Sequence, residues 1–338
     1  KWTLVAALSG IALCALGLVG LSLTQGPLPL FYALLFGMGV ARAFQSPAVS
    51  SLSALVVPSE HYGSSATWSS GAWQSSAIIG PALGGLLLAL WGGAAGVYAC
   101  TAGLLIVVAL LTSLVRPREV ARDTEPLSLR SLLAGARFIR HNSVILPAIT
   151  LDMFGVLLGG ATALLPVYAL DILNVGAVGL GWMRAAPAVG AVSAAIVMAL
   201  RPPFRYAGRT LLVVVAGFGL ATIVFGLSQN FALSLAMLAI LGALDNVSVV
   251  IRGTLLLTRT PDMLRGRVNA VHSVFIGISN ELGAFESGVA AAVLGAVGAV
   301  VMGGIGTILV VAVIAVLAPD LTHLGRLDRV GVDTPGTS

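Results

Sequence analysis

Long apolar stretches separated by short polar turns make up almost all of this chain. Each stretch has about 20 residues or more, the length an α-helix needs to cross the hydrocarbon core of a bilayer. The pattern predicts spans at residues 3–24, 29–57, 63–90, 95–114, 143–171, 178–200, 210–228, 231–258, 267–294 and 296–318. The predicted fold class is therefore an all-α membrane protein with ten transmembrane helices.

The sequence also contains an internal repeat at an offset of 203 residues. The repeat aligns Gly39 with Gly242, Pro58 with Pro261 and Gly80 with Gly283. Both copies have an apolar helix, a polar turn after the proline, and a second helix ending in small residues. Such an internal repeat predicts two related helical bundles.

Composition agrees with this prediction, because 58% apolar and 9% charged residues exclude a water-soluble domain. Cys14 and Cys100 lie inside apolar stretches without the spacing of metal ligands, so we interpret both as packing residues and predict no metal and no cofactor. The chain has no Gly-x-Ser-x-Gly, His-Glu-x-x-His or Walker sequence. We therefore predict that it is not an enzyme.

Arginines concentrate in alternate connections between the spans. By the positive-inside rule those connections are predicted to be cytoplasmic. They contain Arg116, Arg118, Arg122, Arg130, Arg137, Arg140, Arg201, Arg205, Arg209, Arg259, Arg265, Arg267, Arg326 and Arg329. The other connections carry no Lys or Arg and are predicted to face outside. We expect the arginines to contact lipid headgroups rather than nucleic acid, since no base-reading fold accompanies them.

These patterns predict a first bundle at 1–114, a cytoplasmic linker at 115–142, a second bundle at 143–319 and a cytoplasmic tail at 320–338. Apolar residues at helical spacing from Leu129 to Ile139 predict an amphipathic helix within the linker. The tail is polar and contains Gly and Pro, so we expect disorder from about Val330 onward.

Two six-helix bundles joined by a long cytoplasmic linker resemble the major facilitator superfamily. The repeat offset places a partner for the helix at 143 about 60 residues before Lys1, so we expect two further spans ahead of the ten, giving twelve. A fairly specific match is to a motif in the fifth helix of exporters of this superfamily. It comprises Gly71, Gly80, Pro81, Gly84 and Gly85. Small residues let helices approach closely and a proline lets a helix bend, which suits a hinge, while Gly-rich packing without a hinge is the alternative.

Three other features extend the resemblance. Arg42 at mid-helix resembles the superfamily's fourth-helix arginine motif, and residues 164–171 and 261–268 resemble the branch containing enterobactin-type siderophore exporters and macrolide efflux pumps. Residues 201–209 keep arginines but lack an Asp, a departure from the superfamily's loop motif. The resemblance implies a transporter in the bacterial inner membrane with a cytoplasmic C-terminus, and we expect a monomer.

Charged residues inside predicted spans, away from the span ends, are the most informative for function. They are Arg42, Asp152, Arg184, Asp245, Arg252, Glu281 and Glu286. An ionised side chain at mid-bilayer costs about 2.5–3.5 kcal/mol, so we expect these to face a wet cavity or one another. The resemblance implies that Arg42, Asp152 and Asp245 line a central cavity. Because Arg42 and Asp245 are equivalent in the repeat, they are candidates for a pair between bundles.

Asp245 and Arg252 share a helix face about 10 Å apart along the axis, so they need a water or a third group between them. The alternative for Arg252 is an arginine that extends toward the cytoplasmic surface. A carboxyl group in a low-dielectric cavity holds its proton more readily than one in water, which suits a proton carrier. The proton-coupling candidates are Arg42, Asp152, Asp245, Glu281 and Glu286. Simple solvation near the outer mouth is the alternative for Glu286.

Polar residues at mid-helix are candidates for lining a substrate cavity, or alternatively for hydrogen bonds between helices. They are Gln45, Trp73, Gln74, Arg184, Asn246, Arg252 and Asn280. The leading hypothesis is proton-driven export of an amphiphilic small molecule, a drug or siderophore, by alternating access. Its partners would be that substrate, protons and the lipid bilayer. Uptake or lipid flipping by the same fold, and a non-transporting sensor, are the alternatives.

Overall fold

The computed structural model describes residues 1–57, 62–116, 129–159, 161–200 and 206–325. Its helices are α1 Trp2–Thr24, α2 Leu28–Val56, α3 Tyr62–Trp91, α4 Ala94–Leu114, α5 Leu129–His141, α6 Ile145–Leu158, α7 Leu165–Val167, α8 Gly176–Ala199, α9 Ala207–Leu227, α10 Phe231–Arg259, α11 Asp262–Leu317 and α12 Pro319–Thr322. A 3-10 turn at Ala161–Leu164 precedes α7, and a π-helical turn at Tyr168–Ile172 follows it. The predicted disorder from Val330 falls outside the described residues.

The all-α prediction is confirmed, and the observed helices lie within a few residues of the predicted spans. Across the described ranges, nine helical segments are long and apolar enough to cross a membrane. The ninth, Leu264–Leu317, has 54 residues, about 80 Å of helix, far more than one bilayer crossing requires. It therefore contains the last two predicted spans.

Gly295 divides α11 into those two spans. Its backbone has φ 75° and ψ 162°, a conformation that residues with a side chain rarely adopt. Both arms return to the same part of α6. A Cβ at Gly283 would lie 3.0 Å from the carbonyl oxygen of Leu157, and one at Gly303 would overlap the carbonyl oxygen of Leu158. The chain thus reverses its direction at Gly295.

The span predicted at 143–171 corresponds to Ile145–Ile172, but it is not one regular α-helix. α6 ends at Leu158, and Gly159 follows as its C-terminal cap. A Cβ at Gly159 would lie 2.6 Å from the Phe218 ring. Glycine at this position therefore permits the close approach of that ring.

The chain divides into two units, Lys1–Thr124 and Glu125–Ser338. In the first unit α1 packs against α2 and α4, with Leu4, Leu8, Leu52 and Ala109 buried together. Lys1 Nζ donates to the carbonyl oxygen of Ser113, 3.1 Å away, which joins the start of α1 to the end of α4.

The cysteines in the first unit are both free. Cys14 packs where α1 meets α2, with its Sγ 3.3 Å from where a Cβ on Gly37 would lie. Cys100 is exposed, so the interpretation of this residue as a packing residue is wrong within the unit described.

In the second unit α8 packs against α10, α9 against α11, and α6 against α11. Glycines permit the closest approaches, as expected for helices in lipid. A Cβ at Gly242 would overlap the carbonyl oxygen of Pro187, and a Cβ at Gly219 would lie 2.9 Å from that of Gly304. Near the π-helical turn, Tyr168 is fully buried and its hydroxyl donates to the carbonyl oxygen of Gly226 at 2.8 Å.

Helix α5, which the sequence assigns to the linker, packs against the start of α11 within the second unit. Ile139 is buried with Ile145, Leu256 and Val268. The end of α5, the end of α10 and the start of α11 therefore meet at one end of this unit. The arginines that these segments carry are Arg137, Arg140, Arg259, Arg265 and Arg267.

Candidate functional site

An ion pair inside the second unit joins two of the charged residues singled out from the sequence. Arg252 Nη1 of α10 contacts Asp152 Oδ2 of α6. The exposed fractions of the two side chains are 3% and 12%. Arg252 Nε also donates to the carbonyl oxygen of Ser248 at 3.2 Å. A charge at this depth is tolerated because it is paired and hydrogen-bonded.

The alternative in which Arg252 extends toward the cytoplasmic surface is therefore wrong. An arginine that reaches toward water keeps its guanidinium exposed, whereas this one is buried against a carboxylate. Arg252 pairs with Asp152 on the neighbouring helix, while Asp245 lies two turns away on the same helix.

A small cavity of about 20 Å³ lies beside the pair, bordered by Asp152, Asp245, Ser248 and apolar residues of α6 and α9. This volume is sufficient for about one water molecule, and the polar groups around it can form the hydrogen bonds that a buried water needs. Asp152, which pairs with Arg252, and Asp245 thus border one space that can hold a water, while the expected link between Asp245 and Arg252 stays a prediction.

A larger cavity of about 190 Å³ adjoins the break after α6. Its lining comes from α6 and the 3-10 turn, α8, α9, α10 and α11: Val156, Gly159, Ala161, Thr162, Pro187, Phe218, Leu238, Leu241, Gly242, Asp245, Asn280 and Ala284. Val156, Phe218 and Asp245 border both cavities. A mostly apolar pocket with a few convergent polar groups is the usual form of a small-molecule site.

Apart from Asn280, the other candidates in the second unit lie on the predicted helices but not at these cavities. Arg184 and Glu281 are exposed, and Glu286 is half-buried. Asn246 Oδ1 is buried, and among the described residues it has no hydrogen-bond partner. Of the predicted cavity residues in this unit, Asn280 borders the larger cavity.

The candidates in the first unit border neither of these two cavities. Arg42 is exposed, Gln45 and Gln74 are half-buried, and the Trp73 side chain is 77% exposed. The suggested pairing of Arg42 with Asp245 would join two units and stays a prediction. Pro81 lies inside α3, and a Cβ at Gly71, Gly80 or Gly84 would meet nothing described within 4 Å. The hinge role of this motif, which includes Gly85, also stays a prediction.

Sequence reasoning missed Thr162, Phe218 and Ser248 as members of the site. Phe218 and Ser248 sit in apolar helices like many other residues, and their positions depend on which helices become neighbours. The break that exposes Thr162 had a signal in the consecutive glycines at 159 and 160, since glycine pairs are frequent points of helix interruption.

The fold and the charged interior of the second unit define a multi-pass α-helical membrane protein. Its sequence matches the family model of the Major Facilitator Superfamily over residues 1–206, and the chain belongs to that superfamily. Proteins of this superfamily are transporters built from two related halves.

Curated relatives include enterobactin exporters of enteric bacteria. Enterobactin exporter EntS of Shigella flexneri is 33% identical over 198 residues, which is 57% of this chain and 45% of the relative. The protein of the same name from Escherichia coli O157:H7 (strain EC4115 / EHEC) is 31% identical over 196 residues, 57% of this chain and 46% of the relative. The chain spans about half the length of the curated relatives that it matches.

Proposed function

We propose that this chain functions in secondary active export of an amphiphilic small molecule, coupled to protons, by alternating access of its two halves. Membership of a transporter superfamily and similarity to enterobactin exporters support export. A siderophore is accordingly the first substrate class to test. We also propose the bacterial inner membrane as its location, with the arginine-bearing end of the second unit and the C-terminus on the cytoplasmic side.

One observation supports proton coupling. Asp245 borders two cavities, whereas the nearby Asp152 is already paired with Arg252. Within the described part of the chain, Asp245 has no ion-pair partner. A carboxylate in a membrane span that has no counter-charge must be hydrated or must take up a proton. Asp245 is therefore the proposed proton carrier of the second unit.

The Asp152–Arg252 pair has a different role in this proposal. Asp152 is compensated whenever Arg252 stays beside it, so it contributes a fixed local charge balance rather than a mobile proton. The 20 Å³ cavity between Asp152 and Asp245 has space for one water, through which a proton can reach Asp245. Glu281 and Glu286 border neither cavity and are secondary candidates.

The test is efflux from proteoliposomes that contain the complete protein, driven by an imposed proton gradient. The substrates are enterobactin and a hydrophobic fluorescent dye. Asp245→Asn is expected to abolish gradient-driven efflux, because an amide cannot carry the proton. Asp171→Asn is the matched control, because Asp171 is an exposed acidic residue of the same unit that borders neither cavity, and it should transport normally.

Different outcomes separate the parts of the proposal. Efflux that persists after the gradient is collapsed would rule out proton coupling and favour facilitated transport or lipid flipping. Normal gradient-driven efflux by Asp245→Asn would exclude Asp245 as the proton carrier and make Glu281 the next candidate for that role. No transport of either substrate would favour the sensor hypothesis.

A further inference from the structure

The larger cavity of the second unit has a definite size. Its volume of about 190 Å³ is comparable to that of an engineered protein cavity of about 150 Å³ that binds benzene. A space of this volume accepts one six-membered ring with a small substituent, and it opens outward, since Asp245, Asn280 and Ala284 on its wall are exposed. It can therefore hold one ring of a larger amphiphile.

The cavity walls are formed by close backbone packing on one side and by the broken helix on the other. At Gly242 the α10 backbone approaches Pro187 of α8 so closely that a Cβ would overlap the carbonyl oxygen. The chain also leaves its α-helical path after Leu158, and Ala161 and Thr162 beyond it line the cavity. Discontinuous helices of this kind border substrate sites in transporters.

The polar atoms at this cavity are mainly hydrogen-bond acceptors. Asp245 contributes a carboxylate, which acts solely as a hydrogen-bond acceptor while it is ionised. Asn280 Nδ2 already donates to the carbonyl oxygen of Ile276 at 3.0 Å, and its Oδ1 is an acceptor. The hydroxyl of Thr162 can accept or donate. A ligand with an O–H or N–H group suits this set, whereas an anionic ligand would be repelled by Asp245.

We propose that this cavity is a ligand subsite within the second unit for a single aromatic ring that bears a hydroxyl or amino donor. The ring lies among Phe218, Leu238 and Leu241, and its donor binds the Asp245 carboxylate. The inference rests on the proposed function in treating the ring as part of an exported molecule, but binding to the subsite requires no transport. Since the donor and a proton use the same carboxylate, protonation of Asp245 weakens the binding of the ring.

The experiment measures binding to the complete protein in lipid nanodiscs by fluorine NMR. The probes are 4-fluorophenol and 4-fluoroaniline, which carry donors, 4-fluoroanisole, in which the donor is methylated, and 4-fluorobenzoate, which is anionic. Two variants test the site: Asp245→Asn removes the acceptor charge, and Ala284→Phe fills the cavity. Asp171→Asn and Leu282→Phe are their controls, since Leu282 is an exposed residue on α11 that does not border the cavity.

We expect the wild type to bind 4-fluorophenol or 4-fluoroaniline about 10-fold or more tightly than 4-fluoroanisole, as a charge-assisted hydrogen bond implies. Comparing the two donor probes identifies which donor is preferred. Asp245→Asn should weaken binding of the preferred probe by about 10-fold or more, and Ala284→Phe should abolish it. Both controls should bind as the wild type does, and 4-fluorobenzoate should bind more weakly than either donor probe.

Equal binding of 4-fluoroanisole and the donor probes would overturn the proposal, as would tighter binding of 4-fluorobenzoate. Unchanged binding by Ala284→Phe would overturn it as well. The comparison of ligands uses the wild type alone, so the proposal can be refuted even if a variant fails to fold. Ring binding without gradient-driven efflux would uphold the subsite and refute proton-coupled export, while efflux without ring binding would do the reverse.

Discussion

Breaking the Asp152–Arg252 pair should reveal how strongly the second unit depends on it. Asp152→Asn leaves a guanidinium that is 3% exposed without its counter-charge. Removing one partner of a buried pair typically costs about 3–5 kcal/mol, because the remaining charge stays desolvated. Arg252 keeps its hydrogen bond to the carbonyl oxygen of Ser248, so we expect the loss to fall near the lower limit, about 3 kcal/mol.

Arg252→Met should lower the free energy of unfolding by less than Asp152→Asn does. Asp152 is 12% exposed and borders the small cavity, so the remaining carboxyl group can be hydrated or take up a proton. We therefore expect Arg252→Met to lower the free energy of unfolding by about 1–3 kcal/mol, the cost of a buried polar group without its full set of hydrogen bonds. In the double variant no uncompensated charge remains, and buried pairs replaced as a unit are often neutral in stability. We expect the double variant to unfold within about 1 kcal/mol of the wild type.

The free energy of unfolding can be measured by titration with sodium dodecyl sulfate in mixed micelles, followed by far-ultraviolet circular dichroism. Asp171→Asn serves as the control for loss of an exposed acid and should change stability by less than about 0.5 kcal/mol. The reasoning fails if the two single changes add within about 0.5 kcal/mol, the behaviour of independent sites. It fails equally if Arg252→Met costs more than Asp152→Asn.

Two further predictions use the same unfolding measurement. Gly242→Ala should destabilise the protein by about 1–3 kcal/mol, because the added Cβ has no space beside α8. Gly39→Ala at the equivalent repeat position, where a Cβ meets nothing described within 4 Å, should change stability little; equal losses from both would contradict the packing argument. Tyr168→Phe keeps the ring stacked on Phe225, with centroids 4.7 Å apart, but leaves the carbonyl oxygen of Gly226 without its donor, at a cost of about 1–3 kcal/mol. A Tyr168→Phe protein as stable as the wild type would exclude a stabilising role for that hydrogen bond.

The spans could be predicted from sequence because lipid requires continuous apolar helices, and that requirement is local. Even the division near residue 295 followed from length, since 54 residues exceed one bilayer crossing. The break after Leu158 could not be predicted from hydropathy, because the residues on both sides of it are equally apolar. Its signal lies instead in the consecutive glycines at 159 and 160, the first of which leaves space for the Phe218 ring of another helix.

The charged site was predicted as a set of residues but not as an arrangement. Spacing along one helix related Asp245 to Arg252 and indicated that they could not touch directly. The actual partner, Asp152, lies on a different helix, and nothing in the spacing of residues 100 apart identifies that α6 and α10 are neighbours. Ser248 and Phe218 were missed for the same reason, because their importance comes only from the helices they face.

The single-residue corner at Gly295 restricts how the last two spans can move. With no loop between them, the two arms cannot slide past each other along the bilayer normal, and a tilt of one changes the depth of the other. The first arm carries Asn280 and Ala284 at the larger cavity, and the second packs against α9. We therefore expect a motion of the first arm that opens or closes that cavity to displace α9 as well, whose Phe218 forms part of the cavity wall.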